Sequence, residues 1–345
     1  MPPKYKPVIR EKSLITISVI IPYHALNKNL EKTLASIFLA EDRLQEIILV
    51  DDGKVGPIQS MKALSKVKFI STEGRKGPAY ARNLGAKYAK SDIICFIDSD
   101  VTIPSDLFLR IVQNFEEHKP LDALFGSYDD DPGHRGFLSQ YRNLLHHFVH
   151  QTSKIEATTF WTGCGAIKRT VFLEMQGFNG SVYKSPEVED IDLGYRLTEA
   201  SRTIRLEKDL QVKHLKAWTP LKLIRADLIH RAIPWTKLIL QHQKIPNDLN
   251  LKISNKISVI LVFCLPLFLI YSYWNAWFLL PFMIFFTLFL FLNYPLYDFF
   301  HHKRGKRFLL KALPWHCLFY IISGIGFSIG YVDFYLEKWK IKNKS

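Results

Sequence analysis

Two carboxylates one residue apart, Asp98 and Asp100, close the apolar run IICFI at 93–97. A strand ending in Asp-x-Asp carries both acids to the sheet edge. There a hard divalent cation such as Mg2+ or Mn2+ is held by one or two carboxylates and shares its other positions with phosphate oxygens. Alone the pattern is weak, because turns after strands often carry two acids. A second strand end reads VDDG at 50–53, and a third acidic cluster, EVEDID at 187–192, opens a helix-like stretch. One acid at a helix start complements the macrodipole. Glu187, Glu189, Asp190 and Asp192 together exceed that need. His146, His147 and His150 invite a metal reading, yet their helical spacing beside Leu and Phe fits a packed helix better. Cys95, Cys164, Cys264 and Cys317 have no ligand-type or disulfide-type spacing, so reduced thiols are expected.

The elements that must position these acids alternate. Apolar strands are expected at 17–21, 46–50, 67–70, 92–97 and 121–126, with helices at about 28–40, 78–90 and 105–118 between them. This is the pattern of a parallel sheet with crossover helices, in which ligands gather at the carboxyl ends of the strands. The strand ends there read IPYH, VDDG and IDSD. Beyond Tyr128 a helix at about 137–151, a strand-like stretch at 158–169 and the acidic helix entrance follow.

The chain has 345 residues, 48% of them hydrophobic, and a formal charge of +14. Residues 252–345 alone hold eleven Lys and Arg against three acids, a net +8, beside the longest apolar runs. Basic charge next to apolar runs points to a membrane and excludes a nucleic-acid footprint, which needs a solvated basic face. Segments 257–273, 277–297 and 314–335 each approach the ~20 residues that cross hydrocarbon. Tyr271, Tyr273, Trp274 and Trp277 mark an interface belt, and the basic loop HHKRGKR at 301–307 belongs in the cytoplasm. Two crossings satisfy this; a third would export the lysines after 337, so 314–335 is open to a re-entrant or interfacial reading. The start has no apolar signal core, which predicts a cytoplasmic N-terminal part on an inner, multi-pass membrane protein. The stretch 219–241 reads as a basic amphipathic helix, kinked or broken before Pro234, either packed on the core or, the favoured reading, lying on anionic lipid.

Taken in order, VIIPYH (19–24), VDDG (50–53), GPAYARNLGAKYAKSDIICFIDSD (77–100), WTGCGAIKR (161–169), GFN (177–179) and EVEDIDLGYRL (187–197) resemble the family 2 glycosyltransferases, inverting enzymes of GT-A fold. The resemblance runs from about Ile17 to His214. It implies an α/β GT-A catalytic domain with a Rossmann-like mixed sheet, followed here by an α-helical transmembrane region. The expected division is a 1–16 extension, a 17–218 catalytic domain, a 219–250 interfacial helix and linker, and a 251–345 membrane region. The resemblance further implies a UDP- or GDP-linked sugar donor. Pro22, Tyr23 and Asp52 would hold the nucleotide, Arg82 would approach its phosphates, and Asp98 and Asp100 would bind nucleotide and metal, Asp100 most closely. Glu189-Asp190 matches the family's acidic pair, with Asp190 the candidate base. His214 stands where a further metal ligand is found, and a packed histidine is as good a reading.

The chemistry is consistent with that assignment. A cation neutralises the departing diphosphate, and an attacking alcohol needs a base for its proton. Like charges at Glu187, Glu189 and Asp192 would raise the basicity of Asp190. A phosphate acceptor is already ionised and needs no base, so EVEDID favours a hydroxyl acceptor, carried by a lipid given the membrane segments. Trp161, Thr162, Gly163, Arg231 and Trp235 are candidate acceptor contacts. The nearest match to the QxxRW motif of processive relatives is HRAIPW at 230–235, with Arg and Trp separated, so transfer of a single sugar is expected. The alternatives are a polyprenyl-phosphate sugar synthase and a nucleotide-binding membrane protein without transferase activity. A dinucleotide oxidoreductase is disfavoured because no G-x-G-x-x-G follows the first strand.

Overall fold

The computed structural model describes residues 15–40, 43–58, 65–243 and 247–343, so only Ile15 and Thr16 of the expected N-terminal extension are among the described residues. The first half of the chain runs β1 (Ile17–Tyr23), α1 (Lys28–Phe38), β2 (Leu44–Asp51), β3 (Val67–Ser71), α2 (Pro78–Tyr88), β4 (Ile93–Ile97), β5 (Val101–Thr102), α3 (Leu107–Glu117) and β6 (Ala123–Tyr128). It continues through α4 (Phe137–Gln151), β7 (Cys164–Lys168), α5 (Arg169–Glu174), α6 (Glu189–Glu199) and β8 (Ile204–His214). These strands form one sheet of order β3-β2-β1-β4-β7-β6-β8-β5. The four strands at its β3 end are parallel, β7 runs antiparallel between β4 and β6, and β8 is parallel to β6. The result is a mixed, GT-A-like α/β sheet.

Apolar residues on both faces of the inner strands require cover on both sides. Val19 and Ile21 meet α1 and α3 in one layer; Ile20 and Phe96 meet α2, α5 and α6 in the other. Two strands were not foreseen. The stretch expected as a strand at 158–169 pairs only over Cys164–Lys168. Strand β8, IRLEKDLQVKH, hides behind its charges, because only alternate side chains are buried and the others reach water. The two-residue β5 is too short to carry any pattern.

The remainder runs α7 (Pro220–Asp227), a π turn (Leu228–Ala232), α8 (Ile233–His242), α9 (Ile253–Tyr271), α10 (Leu279–Leu292), α11 (Tyr294–Arg304) and α12 (Lys306–Lys342). Helices α9 and α12 are long and apolar enough to cross a membrane; α10 with its preceding turn reaches that length only together with α11, from which it is bent by 62°. The bend falls at Asn293, whose side-chain amide donates to Ser258 and whose carbonyl accepts from Tyr320, and Pro295 starts the next helix. The apolar segment expected to run on to Tyr297 therefore stops at Leu292.

The amphipathic stretch 219–241 differs from its expectation. It is continuous through the π turn, with Pro234 tolerated in the first turn of α8. Its surfaces are taken by protein: Leu238 is buried in the sheet's second layer, and Ala232, Ile233 and Thr236 face Gly326 and Gly330 of α12. A third core cluster, including Tyr141, Leu144, Leu223, Phe289, Phe300 and Tyr320, joins α4 to these helices. Inside the contact, Arg142 of α4 pairs with Asp227 of α7 at 3.0 Å, both nearly inaccessible. Such a pair stabilises little against an apolar replacement but is costly to break, and it ties the sheet to its helical base.

Candidate active site

The strand ends deliver the acids to one place. Strand β4 stops at Ile97, opposite Cys164 in the antiparallel β4–β7 pair, so Asp98 emerges beside the Thr162–Gly163 turn. Helix α6 begins at Glu189, and its Gly194 lies so close to the Thr159–Phe160 backbone that a Cβ would meet Phe160 N at 2.4 Å. That approach seats the first turn of α6 against the same turn: the Thr162 N–H and hydroxyl donate to Asp190 Oδ2 at 3.2 and 3.3 Å.

Arg82, projected from α2, lies between the clusters. Its Nη2 donates to Asp98 Oδ1 at 2.8 Å and its Nη1 to Glu189 Oε1 at 2.9 Å, with only 5% of the side chain exposed. One buried guanidinium thus neutralises two carboxylates and fixes the spacing between the metal-type acids and the α6 acids. Glu189 also accepts the Glu187 N–H at 2.9 Å. Asp192 pairs with Arg196 at 2.9 Å and Glu187, just before α6, accepts from the Ser185 hydroxyl, whereas Asp190 accepts from Thr162 and the Ile191 N–H. Burial first, then the charge of Glu189, raise Asp190 from its ordinary 3.8 to about 7, against the pull of Arg82. Asp98 also raises it. Glu187 and Asp192 were expected to help as well; Asp192 is paired with Arg196, and the charges that raise Asp190 are those of Glu189 and Asp98.

Asp100 stands on the other side of Asp98. The β5–β8 pairing puts Val101 opposite His214, which brings His214 Nε2 to 3.8 Å from Asp100 Oδ2. Burial pushes the Asp100 carboxyl up, and the hydrogen bond and charge of His214 with the charge of Lys216 outweigh it, holding the group below the ordinary range. His214 is also stacked on Tyr128 at 4.3 Å. Among the described residues no three His, Cys, Asp or Glu side chains close into a cage for an ion. Asp100 and His214 face each other as an oxygen and a nitrogen donor, types that suit a hard divalent cation sharing its shell with phosphate and water, while Asp98, 30% exposed, is paired with Arg82.

The nucleotide-side residues lie at the ends of β1 and β2. Tyr23 is buried and its hydroxyl donates to Gly56 O at 2.9 Å; Pro22 beside it is partly exposed. Asp52 is committed within the protein: its carboxylate accepts from the Thr72 hydroxyl and from the Lys76 and Gly77 N–H groups. It orders the loop 72–77, a role the sequence did not suggest. Gly77, at φ +94°, starts α2 where a Cβ would strike Lys184 O at 2.4 Å, so the loop closes onto the segment before α6.

Trp161 belongs to an aromatic wall with Tyr128 at 4.8 Å and His146 at 4.9 Å. His147 and His150 bond through Nδ1 to the backbone oxygens of Tyr128 and Gly126, fixing α4 on β6. His146 packs 4.0 Å from His150. Burial and the His150 neighbour push His146 well down, and burial brings His150 to about 4, so both are neutral at pH 7. Tyr128 and His146 fall in the polar and aromatic stretch 127–151, which the sequence offered as a segment to shape an acceptor pocket without singling out these two as its wall. Arg231 and Trp235 are not gathered here. Arg231 lies 3.6 Å from Asp227, and the Trp235 indole donates to the Tyr195 hydroxyl at 3.3 Å, so Trp235 supports α6 from behind.

An α/β sheet of this mixed order, with acids at its carboxyl edge and a helix-borne acid facing them, defines a GT-A-like nucleotide-sugar fold. Residues 18–175, a little under half of the chain, match the family described as glycosyl transferase family 2, and the chain spans less than two thirds of the curated relatives' own length. The glycosyltransferase GlyG of Streptococcus pneumoniae serotype 4 is 32% identical over 117 residues, covering 32% of this chain and 38% of that protein. The glycosyltransferase YfnE of Bacillus subtilis, itself uncharacterized, is 26% identical over 251 residues, covering 57% and 64%. S. aureus TarS 1-349 in complex with UDP-GlcNAc aligns with a TM-score of 0.52 at 16% identity over 90% of this chain and 91% of that one, a likeness of fold.

Proposed function

We propose that this protein transfers a single sugar, with inversion, from a UDP- or GDP-linked donor to a hydroxyl acceptor carried by a lipid, at the cytoplasmic face of the membrane that holds its C-terminal helices. The observation that carries the reading is Asp190: partly exposed, held by Thr162, with a proton affinity near neutrality. A base of that strength is ionised at working pH and accepts a proton as the alcohol attacks. A phosphate acceptor would have no use for it.

Each residue has a stated part. Asp100, His214 and Asp98 would hold Mg2+ or Mn2+, which when bound offsets the charge of the departing nucleoside diphosphate. Arg82 holds Asp98 and Glu189 at fixed spacing. Asp52 orders the loop beside the nucleotide side of the cleft. The neutral wall of Tyr128, His146 and Trp161 gives an acceptor an apolar, stackable surface, and α4, which carries His146, is also the roof of the helical base. An acceptor arriving from a membrane at that base meets this wall first.

The test uses the full chain in vesicles with membrane lipid extract and labelled nucleotide sugars, UDP-GlcNAc first because the TarS relative is complexed with it. The expected product is a base-stable, singly glycosylated lipid formed only with Mg2+ or Mn2+. A product that is solely a sugar phosphate of a polyprenol would overturn the hydroxyl acceptor, and a ladder of products would overturn single transfer. No nucleotide release under any donor would leave the runner-up, a nucleotide-binding membrane protein without transferase activity.

A further inference from the structure

Helix α12 is the longest element, and its contacts decide how it meets the membrane. At one end Phe308 stacks near Phe137 of α4, ring centres 5.2 Å apart. Ala312 and His316 are buried next along, and the Tyr320 hydroxyl donates to Asn255 and Asn293 at the base of the α9–α10 hairpin. Further on, Gly326 and Gly330 lie against Ala232, Ile233 and Thr236. At the far end Glu337 and Asp333 pair with Lys237 of α8 at 2.8 and 3.6 Å. Phe308 and Glu337 are 29 residues apart, about eight turns at 3.6 residues each, so the two ends of the contact lie on the same face of the helix.

Both ends of that face touch the same body. α4 is bonded to β6 through His147 and His150, and α8 is bonded to α6 through Trp235–Tyr195 and His242–Glu199. The stretch from 308 to 337 is about 44 Å of helix at 1.5 Å per residue. A hydrocarbon core is ~30 Å thick. A helix crossing it would carry one end away from the sheet domain, and neither end leaves. The opposite face is apolar and exposed at Leu310 and again from Ile325 through Val332 and Leu336 to Trp339, with Leu310 58%, Val332 54% and Trp339 63% exposed; Ile321, between them, packs on the core shared with α4. Cations stand at both of its ends, Arg307 and Lys311 at the start and Lys338 and Lys340 after the apolar stretch. At the start, a cavity of about 370 Å³ is lined by Arg135, Arg304, Arg307 and Lys311 over Phe137 and Phe308. Such a surface suits headgroup phosphates at its rims and acyl chains along its middle.

We propose that α12 lies in the plane of the membrane surface, its outward face sunk into one leaflet, and that only the α9–α10 hairpin enters deeper. The sheet domain and the lysines after 337 then share one side, as the positive-inside rule asks. The site's aromatic wall sits above this plane with α4 between, about one helix diameter, ~10 Å, from the leaflet. A lipid-borne hydroxyl reaches it without leaving the headgroup layer.

The inference rests on the membrane attachment proposed above, and the experiment separates the two. In a Cys264→Ala, Cys317→Ala background, Lys32→Cys on α1 and Asn343→Cys beyond α12 are labelled with a membrane-impermeant maleimide in sealed, oriented vesicles of phosphatidylethanolamine and phosphatidylglycerol. Both thiols are expected to react from the same side. Reaction from opposite sides overturns the in-plane helix while leaving attachment intact. Extraction of the unlabelled protein by alkaline carbonate overturns attachment itself and the helix proposal with it. Nitroxides at 310, 325, 332 and 336 give an independent reading: equal, shallow depths are expected, and depths that pass through the bilayer centre refute the proposal.

Discussion

Replacing Asp190 by Asn tests the centre of the site. Asn keeps the size and an oxygen for the Thr162 donors and removes the proton acceptor. Loss of a positioned base costs about 10²–10⁴-fold in rate, or ~3–5 kcal/mol of barrier. The wild-type kcat/KM should rise with pH and level off above about 7, the value to which burial and Glu189 bring Asp190. Two carboxylates a few ångströms apart at an effective dielectric of ~20 repel by ~2–3 kcal/mol, about one to two pH units. Glu189→Gln should therefore move that acid limb down by about this much, with the thermal melt of the variant as the check that it is folded. Stability gives a second reading with the opposite sign. The folded state binds the Asp190 proton more tightly than the unfolded chain, so between about pH 4 and 7 stability falls as pH rises. Because Asp190 is partly exposed, solvent screening trims the effect to ~1–2 kcal/mol. Asp190→Asn should melt higher than wild type at pH 8 and no higher at pH 4. If Asp190→Asn keeps its rate, or if the limb is unmoved in Glu189→Gln, the assignment of the base is refuted.

Other outcomes follow from the same geometry. Arg82→Met leaves Asp98 and Glu189 buried without a counter-charge and should destabilise the fold by ~3–5 kcal/mol, read as a fall in the thermal midpoint. Asp227→Ala strands Arg142 and should cost a similar ~3–5 kcal/mol, here with retained metal response in whatever fraction stays folded. Asp100→Ala should abolish nucleotide release, and His214→Ala should raise the Mn2+ concentration needed for half-maximal rate by about an order of magnitude or more; an unchanged metal titration in His214→Ala would mean that the histidine only packs on Tyr128.

Much of the fold was legible because apolar strands and their punctuation are local. β1, β2 and β4, the helix over 137–151 and the apolar segments near 257–273 and 314–335 lie close to where composition puts them. β8 and β5 were illegible, one masked by alternating charge and the other too short, yet their pairing is what sets His214 against Asp100. The acids at 98, 100, 189 and 190 were found from type and spacing. Their ion pairing was not, since it depends on Arg82 and Arg196, whose partners lie 107 residues away in one case and one helical turn away in the other.

The sequence by itself determined the chemistry available: which carboxylates stand at strand ends, that a basic, apolar C-terminal region follows, and that thiols are not structural cross-links. These are properties of residue type and local period, which need no partner. Only the tertiary structure decided that burial and Glu189 raise the proton affinity of Asp190, that Asp52 orders a loop, that the helix at 219–242 is wedged between the sheet and α12, and that both ends of α12 touch one body. Each of these depends on what lies across a packing contact. Burial and neighbouring charge set a proton affinity, and the direction of a helix is set by what its two ends touch.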